Sequence, residues 1–100
     1  MVFAREKREH LRIPAKLPLK YRLIDDSPQK YRQVQSMDFS AGGMSFRNPE
    51  FIPHRTKALV EFTPPNRSVP IRIVSEVVRT RGHYAGSHFT IGIRFQHMLK

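Results

Sequence analysis

Hydrophobic and polar side chains alternate along most of this chain with a period of two residues. In residues 16–23 every second side chain is Leu or Tyr, and the positions between them are Lys, Arg or Pro. Such alternation is typical of a β-strand with one buried and one solvated face. Similar patterns recur between short segments rich in Pro, Gly, Asp and Ser, and they predict strands at residues 16–23, 32–39, 43–47, 57–62, 69–80 and 88–95.

The apolar phase of each pattern predicts which side chains form the core. The run at 69–80 is long for a strand of a small domain, which indicates a bend or a bulge within it. Residues 81–87 contain two glycines and are predicted to form a hairpin loop. The predicted inward residues are Leu17, Leu19, Tyr21, Leu23, Met44, Phe46, Ala58, Val60, Phe62, Val69, Ile71, Ile73, Val77, Phe89, Ile91, Ile93 and Phe95.

About six strands joined by short turns, with almost no helical periodicity, predict a single all-β domain. For a chain of 100 residues, the economical arrangements are a small antiparallel barrel or a sandwich. A barrel has the further advantage that it leaves no exposed strand edge.

The first fifteen residues, MVFAREKREHLRIPA, depart from the alternating pattern. They are dense in charge, and Pro14 favours extended backbone at Ile13. We therefore predict a flexible basic N-terminal arm at residues 1–15 and a β-barrel at residues 16–97.

Composition narrows the class of protein further. The chain has no Cys, no apolar signal region and no apolar run long enough to span a membrane. These features exclude a disulfide framework and a Cys-based zinc site, and they predict a cytoplasmic protein without membrane insertion, although the chain could be one piece of a longer protein.

The formal net charge is +10, from 18 Lys and Arg against 8 Asp and Glu, and twelve of the 18 cations are Arg. Guanidinium groups make bidentate contacts with phosphates and guanine edges. The charge therefore favours a phosphate-bearing partner, the alternative being a merely solvated basic surface.

Two short motifs supply candidate chemistry. REHLR, at residues 8–12, places Arg8 and Arg12 four positions apart, but about 1.4 such pairs are expected by chance in a chain this rich in Arg. DFSAGG, at residues 38–43, contains Asp38, Ser40 and Gly43 as D-x-S-x-x-G, a pattern expected roughly 0.01 times by chance. The second motif is therefore the specific one.

The two motifs in this order resemble those of the PilZ domain family, bacterial receptors for cyclic di-GMP. REHLRIPA resembles the family's arginine motif, DFSAGGMSF its second motif and IGIRF its closing strand. The resemblance covers nearly the whole chain and implies a six-stranded antiparallel barrel. Many members carry a helix after the last strand, whereas here only QHMLK follows IGIRF, so little or no C-terminal helix is expected.

The chemistry of the motifs suits such a ligand. On an extended arm, Arg8 and Arg12 would point to the same side about 13 Å apart and could grip opposite ends of a compact dinucleotide. Asp38 is an acceptor that suits the N1–H and N2–H₂ donors of guanine rather than a phosphate. Ser40 can donate to a phosphate or accept from a base.

The glycines of the second motif have a backbone role. Gly43, and with it Gly42, would let the backbone approach the ligand or adopt a positive φ. The alternative is that Asp38 and Ser40 are ordinary residues of a hairpin turn. Arg8 and Arg12 would then be solvated charges.

Further candidates are less specific. Lys7 and Arg5 flank the arginine motif, and the resemblance implies that a basic residue at position 7 goes with two ligands per chain. Arg79 and Arg81 fall near a predicted strand end, where a face of the barrel could present them to the ligand site, although a solvated loop is the favoured interpretation. Three histidines, His83, His88 and His97, lack the spacing of metal ligands and are predicted to be surface residues.

The sequence thus predicts a receptor for cyclic di-GMP that has no cofactor, no metal and no catalytic activity, since no base or nucleophile elbow accompanies Ser40. Ligand binding would order the arm over the barrel and present a surface to an unidentified downstream protein. One rival is a nucleic-acid-binding barrel that uses Tyr21, Tyr31 and Phe95 for stacking, but core packing is the simpler role for Tyr21 and Phe95. The other rival is a ligand-free PilZ scaffold for protein contacts.

Overall fold

The computed structural model of the chain describes residues 13–14, 16–83 and 86–99. These residues form strands and connecting loops, and they contain no helix. Accordingly, nothing in these three ranges is a helix that could cross a membrane. The strands are β1 (Ile13–Pro14), β2 (Pro18–Leu23), β3 (Arg32–Phe39), β4 (Gly43–Asn48), β5 (Lys57–Phe62), β6 (Ile71–Gly82) and β7 (Phe89–Leu99).

Six of these strands close into an antiparallel barrel. Their order is β3-β2-β5-β6-β7-β4, and a pairing between β3 and β4 completes the ring. The two-residue strand β1 pairs with the C-terminal end of β3. It lies at the same edge of β3 that pairs with β2 nearer the N-terminal end of that strand. The prediction of a six-stranded all-β barrel is therefore confirmed.

The alternating side chains of the strands fill the barrel as the pattern predicted. Tyr21 is buried against Phe46, with 5.2 Å between the ring centroids, and its hydroxyl donates to Asn48 Oδ1 at 2.7 Å. Burial raises the pKa of Tyr21. Phe95 packs on Phe62, with 5.9 Å between their centroids. Tyr21 therefore belongs to the core, and Phe95 is partly buried against it. The other core residues include Leu19, Met44, Ile52, Ala58, Val60, Ile73, Val77, Ile91 and Ile93.

The long strand β6 contains the predicted irregularity, but it differs from the prediction at both of its ends. Its register against β7 shifts between Val74 and Ser75 and again between Val77 and Arg79, so the predicted bulge is present. Val69, predicted to face inward, is 61% exposed, because the ladder with β5 ends at Ile71 and leaves Val69 outside it.

The second correction concerns the end of β6. The pairing with β7 continues as far as Gly82 opposite Phe89, past the predicted strand end at residue 80. Arg79 and Arg81 therefore both lie on the strand, and the favoured interpretation of a solvated loop is wrong for them. The β6–β7 hairpin loop accordingly starts at His83. The boundary predicted between an arm at 1–15 and a barrel at 16–97 stays a prediction.

Candidate ligand-binding site

The strand pairing brings the segment that follows the first motif directly against the second motif. Ile13 pairs with Phe39, and Pro14 pairs with Asp38. Arg12 immediately precedes Ile13 in the sequence. The four basic residues predicted to hold the ligand lie outside the described residues, and their roles stay predictions: Arg5, Lys7, Arg8 and Arg12.

Asp38 reaches the outer face of the barrel through a β-bulge. Val34 and Phe39 both pack against the core, although an unbroken alternation would place them on opposite faces. The register of β3 against β4 shifts between Ser36 and Asp38, and this shift returns Phe39 to the core while Asp38 faces outward. There the Asp38 carboxylate accepts a hydrogen bond from the backbone N–H of Ser45 at 3.2 Å.

Ser40 lies within the turn that joins β3 to β4. Its hydroxyl accepts from the N–H of Gly42 at 3.2 Å and donates to the carbonyl of Gly43 at 3.3 Å. Its backbone N–H donates to the same Gly43 carbonyl at 2.9 Å. The side chain is buried and holds the turn together, which is the role of an ordinary turn serine. A contact between Ser40 and a ligand stays a prediction.

The two glycines fix the turn to the neighbouring strand. No glycine among the described residues has a positive φ, so that part of the expectation for Gly42 and Gly43 is wrong. Instead, a methyl group on Gly43 would overlap the carbonyl oxygen of Ile93. The carbonyl of Gly42 accepts from the N–H of Phe95 at 2.9 Å. Gly43 is therefore required by the close approach of β7.

Beside Asp38 the surface has a depression of about 450 Å³. Two cationic side chains, Lys16 and Arg47, line it together with Gln35, Ser36 and Met37. Neither Lys16 nor Arg47 belongs to one of the two motifs. Their alternating positions mark them only as outward residues, and the closeness of Arg47 to β3 depends on the pairing of β3 with β4.

A larger open groove of about 580 Å³ lies on the outer face of β2, β3 and β5. Its charged side chains, Lys20 and Glu61, are 3.9 Å apart and oppose each other in charge. Lys20 also lies 4.9 Å from the ring centroid of Tyr31. This groove carries no excess of positive charge from its lining residues, so it suits an anionic ligand less well than the smaller depression.

A pair of histidines lies at the β6–β7 hairpin. His83 and His88 stack with 4.5 Å between ring centroids, and His83 Nε2 is 2.7 Å from Thr90 Oγ1. Desolvation, followed by the charges of Arg47 and His83, lowers the pKa of His88. The described ranges contain no group of three or more residues that could hold a metal ion. His97 is exposed on β7.

Comparisons with known proteins agree with this architecture. The family model described as PilZ domain matches residues 6–100. The structure of the Bacillus subtilis inhibitor of motility (MotI/DgrA) superposes with a TM-score of 0.77 at 14% identity, over 94% of this chain and 44% of that one. The PilZ domain with c-di-GMP of YcgR from Escherichia coli superposes with a TM-score of 0.60 at 16% identity, over 90% of this chain and 78% of that one.

At these identities the two structures establish similarity of fold. The chain spans less than half of the Bacillus protein that it matches. Comparison with the curated proteins finds no match.

Proposed function

The chain belongs to the PilZ domain family, and from this premise we propose that it is a receptor for cyclic di-GMP. The observation that carries the proposal is the register of β1, in which Pro14 lies opposite Asp38. The arginine motif ends two residues before Pro14. The residues that directly follow the first motif in the sequence therefore lie beside the second motif, which supports a ligand shared by the two.

In the proposed mode of binding, the guanidinium groups of Arg8 and Arg12 donate bidentate hydrogen bonds to phosphates or to guanine edges. Asp38 accepts from the N1–H and N2–H₂ groups of one guanine. Its partly exposed carboxylate on the outer face supports that role. Lys16 and Arg47 border the same region and raise the positive potential felt by the phosphates.

Ligand binding draws the arm against the barrel and so creates a surface for a downstream protein. We further propose two ligands per chain, with Lys7 and Arg5 facing the second. Four phosphate charges in one site need more cations than two arginines supply. The activity proposed is binding alone, with no catalytic step.

The structure supports the alternative function, a nucleic-acid-binding barrel, less well than the binding of cyclic di-GMP. Of the three aromatic residues that would stack on bases, Tyr21 is buried in the core and Phe95 is partly buried against it. Single-strand binding through stacking needs exposed aromatic faces. The net charge of +10 remains compatible with a nucleic acid, so a direct comparison of ligands is needed.

The test measures the thermal unfolding temperature of the wild type alone and with cyclic di-GMP or a single-stranded oligonucleotide at matched ionic strength. A ligand at 100 times its dissociation constant stabilises the folded state by about 2.7 kcal/mol, which raises the midpoint of a domain of this size by roughly 10–20 °C. We expect that rise with cyclic di-GMP only. A rise with the oligonucleotide alone would favour the rival, and no rise with either would favour a ligand-free scaffold.

A further inference from the structure

Two histidines that are five positions apart in the sequence meet at the β6–β7 hairpin. Gly82, the last residue of β6, pairs with Phe89, the first residue of β7, so His83 directly follows one strand and His88 directly precedes the other. Their imidazole rings stack with 4.5 Å between the ring centroids. His83 is exposed and His88 is partly exposed. Both line a depression of about 380 Å³ at the end of the hairpin.

The turn between the two histidines holds them close together. The backbone N–H of Gly86 donates to the carbonyl of His83 at 2.8 Å. A methyl group on Gly86 would lie 2.7 Å from that carbonyl oxygen and 3.2 Å from the backbone nitrogen of His88. A side chain at position 86 would therefore push the two ends of the loop apart, and the glycine permits one imidazole to approach the other.

Thr90 orients the ring of His83. The Thr90 Oγ1 atom is 2.7 Å from His83 Nε2, and the hydroxyl donates its proton towards Met37 Sδ at 4.0 Å. Since a hydroxyl has one proton to donate, Thr90 accepts from the Nε2–H group of His83. That tautomer leaves the lone pair of His83 Nδ1 free. An imidazole that ligates a metal ion commonly donates its other N–H to such a partner.

The donors at the hairpin select one class of ion. Imidazole nitrogen suits Zn²⁺, Ni²⁺ and Cu²⁺, whereas Mg²⁺ and Ca²⁺ prefer oxygen ligands such as carboxylates. Residues 77–99 contain no Asp or Glu, so the hairpin offers the harder ions no carboxylate. Arg47 and Arg81 both pair with Thr90, and their charges oppose any cation. Only ions that bind imidazole strongly therefore fit this place.

We infer that His83 and His88 form a chelating pair for a divalent transition-metal ion, bound through one nitrogen of each ring; this goes beyond the proposed function. Two imidazoles on one ion, each with a metal–nitrogen distance of about 2.0–2.1 Å, have their ring centroids roughly 4.5–5.3 Å apart. The observed separation of 4.5 Å lets both rings reach one ion by rotation about their side-chain bonds. The remaining coordination positions take water or a ligand from outside the chain, and the bound ion ties the two strand ends together.

The test titrates the chain, free of any polyhistidine tag, with ZnCl₂ in a calorimeter. H83A and H88A each remove one proposed ligand, and H97A removes an exposed histidine elsewhere on β7 as the matched control. We expect H83A and H88A each to lose about tenfold or more in Zn²⁺ affinity, and H97A to stay within about twofold of the wild type. MgCl₂ should give no binding signal. Thermal unfolding of the three variants without metal checks that the barrel is intact.

A second measurement locates the ion. Substoichiometric CuCl₂, a paramagnetic probe, should broaden the amide signals of residues 82–83 and 86–90 before those of the rest of the barrel in ¹H–¹⁵N spectra. The inference would be overturned by wild-type Zn²⁺ affinity in both H83A and H88A, by an equal loss in H97A, or by no Zn²⁺ binding in the wild type at millimolar metal. None of these outcomes bears on the binding of cyclic di-GMP, so the proposed function is tested separately.

Discussion

Replacing Gly43 with Ala tests whether this motif residue serves the barrel rather than a ligand. An added methyl group would overlap the carbonyl oxygen of Ile93 and lie 3.2 Å from its carbonyl carbon and 3.3 Å from Cα of Arg94. All of these atoms are backbone, so no side-chain rotation relieves the overlap. The turn and β7 must move apart, and the bonds most directly affected are those from Ser40 N–H to the Gly43 carbonyl and from Phe95 N–H to the Gly42 carbonyl.

The expected cost follows from these contacts. Overpacking in a close-packed site costs about 1–3 kcal/mol, and each weakened backbone hydrogen bond costs about 1 kcal/mol. Removing a glycine from the unfolded chain returns about 0.4–1 kcal/mol. The net loss is therefore about 3 kcal/mol, which lowers the unfolding midpoint of a domain of this size by roughly 12–24 °C.

The matched control is Gly92→Ala, the same change on β7. There the nearest atom to the new methyl group is Arg79 Cβ at 3.4 Å, an ordinary contact, so stability should stay within about 1 kcal/mol of the wild type. Thermal and urea unfolding without ligand measure both variants. Equal midpoints for Gly43→Ala and Gly92→Ala would refute the view that β7 requires the glycine at position 43.

The remaining predictions concern the ligand and the core. Arg8→Ala and Arg12→Ala should each weaken cyclic di-GMP binding about 10- to 150-fold without lowering the unfolding midpoint; wild-type affinity by calorimetry in either variant would remove that residue from the site. Asp38→Asn should weaken cyclic di-GMP binding, and the wild type should bind cyclic di-AMP poorly because adenine lacks the N1–H and N2–H₂ donors; equal affinities of the wild type for the two ligands would contradict the guanine-reading role. Because burial raises the pKa of Tyr21 in the folded state above 10.0, the unfolded state releases this proton first, and stability should fall as the pH rises above that value. The Tyr21→Phe variant should lack this fall in stability at high pH. Identical slopes of unfolding free energy against pH in the two proteins would contradict the role assigned to Tyr21.

Much of the fold was predictable because each strand carries its own periodicity. Residues 32–39 and 57–62 were predicted as strands and are the strands β3 and β5. Val69 was predicted wrongly because its spacing from Ile71 continues the alternation, while the end of the ladder depends on where β5 ends. Leu59 was missed because it is on the polar phase of β5, yet it is buried between Arg22 and Val74 of the neighbouring strands.

The site was predictable only where a motif is contiguous in the sequence. The pattern D-x-S-x-x-G identified Asp38, but nothing local indicates that β7 lies between β4 and β6. That order brings Gly92 and Arg79 into line with Asp38. The sequence therefore left Arg79 open between a barrel face and a solvated loop, and only the register of three strand pairs decides between them.

The most direct test of the account is a ¹H–¹⁵N NMR titration of the wild type with cyclic di-GMP, because it reports both whether the ligand binds and where. We predict saturable shifts concentrated in the amides from Asp38 to Ser45 and at Gly92 and Arg79. The account would be contradicted by an unchanged spectrum at millimolar ligand. Shifts confined to the groove lined by Pro18, Lys20, Gln33 and Glu61 would contradict it equally.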